Sequence, residues 1–146
     1  MFRPLLLGVV ATLGLSGTAS AQTIPHKEAS AGQLTNVTAT QMDWTTTGHG
    51  THYGKYTEVG SHLYFPDGTL YGVFTVTAAD GSTMSGTYEG TFAPIGGGLF
   101  LFEVDVYWLE GTGRLEGVTG SGSATAILDG ATGAVVVQAE GLWSRP

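Results

Sequence analysis

Cysteine is absent from the 146 residues, which excludes a disulfide framework and anchoring through a lipid-modified cysteine, so stability has to come from packing and strand pairing. Basic residues are scarce. Lys and Arg number 5 against 12 Asp and Glu, a formal net charge of −7, and the clusters of Lys and Arg through which proteins bind nucleic acid or anionic membranes do not occur. No nucleophile stands beside a base, no run of ligands has metal spacing, and no glycine loop has the form of a phosphate cradle, so no cofactor is expected and function has to be sought outside short catalytic motifs. Long apolar runs are missing too, apart from one near the start.

That run decides where the chain is expected to work. Arg3 gives a positive n-region, the eleven residues LLLGVVATLGL (5–15) form an apolar stretch, and Ala19-Ser20-Ala21 places small residues at the −3 and −1 positions of a signal-peptidase site. Eleven residues are too few for a helical membrane span, which needs about 20. Residues 1–21 are therefore read as a signal peptide cleaved after Ala21, with the mature protein exported to a periplasm or secreted. Cleavage removes only Arg3 among the charges and leaves the mature chain one unit more negative. Residues 22–33 (QTIPHKEASAGQ) mix Pro, Gly, Ser and charge without a period and read as a flexible lead-in. Residues 34–146 are long enough for one domain with one core.

In that domain short alternating segments are separated by glycine turns. Strands are predicted over 34–44, 56–65, 69–77, 82–92, 99–109, 120–128 and 134–143, with hairpin turns at Pro66-Asp67-Gly68, Ala79-Asp80-Gly81, Gly96-Gly97-Gly98 and Asp129-Gly130-Ala131-Thr132-Gly133. Counting one further short strand in the region 51–55, at the end of the loop TTTGHGTHYG, brings the set to about eight. The fold class is all-β, a single closed and mostly antiparallel barrel, since about eight strands close a small barrel without leaving an edge.

Inner faces follow from alternation. Met84, Gly86, Tyr88, Gly90 and Phe92 share one face of their strand opposite Thr83, Ser85, Thr87, Glu89 and Thr91. The sets Phe100, Phe102, Val104, Val106, Trp108 and Val135, Val137, Ala139, Gly141, Trp143 repeat the pattern, so these faces are assigned to the interior. Gly120, Gly122, Ala124 and Ala126 share another face. If it is internal, these small residues opposite Phe100, Phe102 and Trp108 either let the aromatics fill the lumen or leave a slot for an apolar ligand. An outer-membrane barrel would show the reverse polarity.

The strand 56–65 is ambiguous. Tyr56, Glu58, His62 and Tyr64 lie on one parity and Val59, Leu63 and Phe65 on the other. A lumen-facing Glu58, His62 and Tyr64 would supply a general acid or base. The cheaper assignment puts Val59, Leu63 and Phe65 in the core and leaves the polar set solvated, because a buried glutamate without a partner is costly. His49 and His52 in GHGTHYG lack a carboxylate or third imidazole at fixed spacing, so no metal site is assigned. Asn36-Val37-Thr38 matches the N-glycosylation pattern.

The stretch GTGRLEGVTGSG (111–122), together with KYTEVGSHLYFPDGTLYGVFTVT and GSTMSGTYEGTF upstream, resembles the allene oxide cyclase-like and dirigent-like β-barrels over roughly residues 48–143. The resemblance implies a calycin-like barrel whose members hold a flexible apolar molecule in one conformation, and it is compatible with a homo-oligomer. Gly111, Gly113, Gly117 and Gly120 would then let the chain cross one barrel end, with Leu115 and Val118 plugging it. Three function classes follow. The first is a small-ligand binder with Tyr88, Phe100, Phe102, Trp108 and Trp143 lining the lumen. The second is a cofactor-free cyclase or isomerase, whose discriminating feature is Glu58 or His62 pointing inward. The third is a structural oligomeric barrel with a filled interior and Leu99 and Leu101 at a subunit contact. Ligand binding is placed ahead of catalysis.

Overall fold

The computed structural model describes residues 21–146; the expected signal sequence falls almost wholly in 1–20, outside the described residues. Eight strands follow one another: β1 (Gln22–Val37), β2 (Gln41–Gly50), β3 (Gly54–Tyr64), β4 (Thr69–Ala78), β5 (Thr83–Gly96), β6 (Leu99–Gly111), β7 (Thr119–Asp129) and β8 (Ala134–Arg145). Each pairs antiparallel with the next, and β8 closes on β1, so the sheet is a closed barrel. Closure satisfies the backbone groups that an open edge would leave to solvent.

The hairpins of β3 to β8 lie where the glycine turns put them, with positive φ at Gly68, Gly81, Gly97 and Gly133. Strand β5 runs past Pro94, whose missing N–H is accommodated by a register shift between Pro94 and Gly96. The first part of the chain differs from expectation. Residues 22–33 are no lead-in: they are most of β1, paired along their length with β8 and from Glu28 onward with β2 as well. Their alternation is genuine but carried by polar groups, with His26, Glu28 and Ser30 buried and Lys27, Ala29 and Ala31 exposed, so hydrophobic periodicity does not register it. The expected strand over 34–44 is split between β1 and β2, most of TTTGHGTHYG belongs to β2, and 51–53 is a turn rather than an extra strand.

The inner faces of β5, β6 and β8 are those the alternation assigns, and Glu89 is exposed as expected. Strand β3 is inverted. Val59, Leu63 and Phe65 are 57%, 47% and 45% exposed, whereas Glu58 and His62 are 5% and 4% exposed. One barrel end is solid. A 3-10 turn (Gly113–Leu115) crosses it, Gly113 and Gly117 adopt positive φ, and Leu115 and Val118 are completely buried in the core cluster that also holds Trp108, Trp143 and Tyr53. Arg114 in that turn donates to Asp80 at 2.6 Å and to the carbonyls of His52 and Tyr53, tying three turns together.

Candidate functional site

Beyond the plug the lumen is open. A cavity of about 80 Å³ lies inside the barrel, several times the ~10–15 Å³ that one water requires. Its wall is mostly apolar. Ala124 and Ala126 of β7 face Val104 and Phe102 of β6 across the sheet, and these small residues leave the slot that larger ones would fill. The polar groups on the wall come from three neighbouring strands: Glu28 on β1, Trp44 on β2, and Glu58 and His62 on β3. Tyr88 reaches them from β5.

Glycine makes that reach feasible. A β-carbon at Gly60 would sit inside the indole of Trp44, and one at Gly72 inside the phenol ring of Tyr88. Both rings therefore lie flat over glycine on the inner wall and meet. The Trp44 Nε1–H donates to Tyr88 Oη at 2.9 Å, and the same oxygen lies 2.7 Å from His62 Nδ1. Burial holds the His62 imidazole well below its usual range, at about 4, with the Asp43 charge opposing.

The second polar group is a pair of carboxyls. Burial raises Glu28 to about 8, and burial together with the Glu28 charge raises Glu58 well above the carboxylate range. His26 Nε2 is 2.7 Å from Glu28 Oε2. Burial drops His26 to about 4 and raises Glu28, which favours the neutral forms of both partners in this contact over an ion pair. Thr46 Oγ1 donates to Glu58 Oε2 at 3.4 Å. Two carboxylic acids that keep their protons near neutral pH are equipped to donate hydrogen bonds or a proton to whatever enters.

Of the residues singled out by sequence, Glu58, His62, Tyr88 and Phe102 stand on the cavity wall. Tyr64 is half-buried on the same face of β3, its ring edge-on to His62 at 4.8 Å and its hydroxyl on Met42 Sδ. Phe100 is half-buried away from the cavity, near Gly130. Trp108 and Trp143 belong to the plug, where Trp143 stacks on His26 with centroids 3.9 Å apart. Glu28, His26 and Trp44 went unassigned in the sequence; the signal that would have found them is polar alternation in β1 and β2. Among the described residues no group of three His, Cys, Asp or Glu is arranged to hold a metal, and no helix is long and apolar enough to cross a membrane.

No family model matches the chain, and no curated protein matches it. Among solved structures, the pterocarpan synthase dirigent protein GePTS1 superposes with a TM-score of 0.56 at 12% identity, over 99% of this chain and 97% of that one. The fold is a dirigent-type barrel. At 12% identity the likeness concerns the barrel rather than its chemistry.

Proposed function

We propose that this is an exported barrel that binds and confines a small, largely apolar ligand in its lumen. What carries the reading is the cavity itself: its wall is apolar, it is plugged at one end, and it holds buried polar groups on one side. A filled structural barrel would have large side chains where Ala124 and Ala126 stand. Native mass spectrometry of the mature protein, purified gently from its host, tests this directly. A co-purifying apolar molecule released on denaturation supports the reading. A bare protein whose tryptophan fluorescence responds to no apolar compound overturns it.

A second reading, a cofactor-free cyclase or isomerase, is favoured by one observation: Glu58 and His62 face the cavity. An acid that keeps its proton in an apolar site can protonate a bound molecule while the walls hold its conformation. Conversion of an identified ligand, lost in Glu58→Gln without loss of binding, supports it. Association of barrels fits the same picture. Val59, Leu63, Tyr71 and Val73 form an exposed apolar patch on the outer face of β3 and β4, whereas Leu99 and Leu101 are only half-exposed. Sedimentation of wild type against Val73→Lys reads this out.

A further inference from the structure

The hydrogen bonds around Tyr88 determine where His62 carries its proton. An indole N–H can only donate, so Tyr88 Oη accepts from Trp44. If His62 Nδ1 also donated to that oxygen, the Tyr88 hydrogen would be left without an acceptor, because Oη has no third partner among the described residues. The arrangement that satisfies the phenol is a directed chain, in which Trp44 donates to Tyr88 and Tyr88 donates to His62 Nδ1. The neutral imidazole then carries its hydrogen on Nε2. That atom is buried and has no partner, in a side chain 4% exposed on the cavity wall. Unpaired buried donors are rare in native proteins, and each needs an explanation.

The surroundings restrict what could pair with it. No lysine or arginine lines the cavity among the described residues, so nothing there would neutralise a carboxylate or phosphate. Phe102, Val104, Ala124 and Ala126 line the cavity with apolar surface. Glu58, whose carboxyl burial keeps protonated, adds a second donor on the same strand as His62. The lumen therefore offers donors that lack acceptors.

We propose that His62 Nε2–H is the polar anchor of the lumen, and that the ligand is a neutral apolar molecule with a hydrogen-bond-accepting oxygen, a ketone, ester or ether. This rests on the reading of the lumen as a ligand site. It makes His62 a binding residue, and Trp44 and Tyr88 positioning residues that fix its tautomer.

The test uses the mature protein labelled with 15N-histidine and three probes of nearly one shape: acetophenone, cumene and 1-phenylethylamine. Long-range proton–nitrogen correlation on the free protein is expected to show neutral His62 with Nε2 protonated. Acetophenone should shift the Nε2 resonance, and His62→Phe should weaken acetophenone roughly tenfold while changing cumene by no more than about twofold, the size of one buried hydrogen bond. Tyr88→Phe, which keeps the volume, should let both tautomers appear; this also serves if His62→Phe fails to fold. An Nδ1-protonated or doubly protonated ring in the free protein overturns the inference. So does equal weakening of acetophenone and cumene in His62→Phe, which leaves the lumen reading intact. Tightest binding by the amine, abolished in Glu58→Gln, overturns it in favour of the carboxyls as anchor. Failure of all three probes to bind overturns the lumen reading itself.

Discussion

The buried carboxyls should make the protein less stable as pH rises through neutrality, opposite to the usual effect of paired acids. Glu28 has an ordinary value near 4.5 and is raised to about 8 in the fold. Between those values the folded chain keeps a proton that the unfolded chain releases, so each step up in pH favours unfolding. His26 and His62 act in the lower part of that range. Both are lowered from 6.5 to about 4, so beneath 6.5 the unfolded chain takes up two protons that the folded chain does not, which offsets the two protons that the carboxyls keep in the fold. Stability is therefore close to level just beneath pH 6.5, and from there to pH 8 the histidines contribute nothing while the carboxyls dominate. At ~1.4 kcal/mol per proton per pH unit, Glu28 alone gives a loss of about 2 kcal/mol over that interval, and Glu58 adds to it in the same direction. That is a sizeable share of a total stability of roughly 5–15 kcal/mol. Urea unfolding followed by tryptophan fluorescence at fixed ionic strength, at pH 6.5 and pH 8, measures it. Glu28→Gln supplies the control, because the amide keeps the bond to His26 and removes the titration, so its curve should flatten. A wild-type stability that is level or rising between pH 6.5 and pH 8 would refute the placement of neutral carboxyls in the lumen.

Three further outcomes are expected. Gly72→Ala drives a methyl group into the Tyr88 ring and should cost about 1–3 kcal/mol through overpacking; an unchanged urea midpoint would contradict the stacking of that ring on the wall. Ala126→Phe places a phenyl group in the slot facing Phe102 and should remove the fluorescence response to apolar compounds while leaving Tm equal or higher, as cavity filling does; retained binding would move the ligand site elsewhere. Arg114→Ala releases the turns held through Asp80 and the carbonyls of His52 and Tyr53, so amide exchange at 51–54 and 80–82 should quicken while Arg114→Lys recovers only part of the protection. Identical exchange in all three proteins would mean that the plug alone holds that end.

The strands that were hard to read in the sequence are the ones that carry the candidate site. Strands β5, β6 and β8 announce their inner faces because those faces are apolar, as in Phe102, Val106 and Trp108, and the resemblance in GTGRLEGVTGSG extends to Leu115 and Val118 as a plug. In β1 the inward set is His26, Glu28, Ser30 and Gly32, and in β2 it is Trp44, Thr46, Gly48 and Gly50, so a search for apolar alternation passes over both. In β3 the rule gives the opposite face, since Val59 and Leu63 on the outside are more apolar than Glu58, Gly60 and His62 within. The rule rests on the cost of burying a charge, and that cost is avoided because the carboxyls stay protonated. Burial raises both, and the Glu28 charge raises Glu58 further across β1 and β3, a relation between residues 30 positions apart that no local window contains. A barrel meant only to be filled would have no reason to break hydrophobic alternation on three adjacent strands. Their agreement on one wall, opposite alanines that keep the lumen clear, is the strongest argument that this side of the barrel was shaped to meet a molecule.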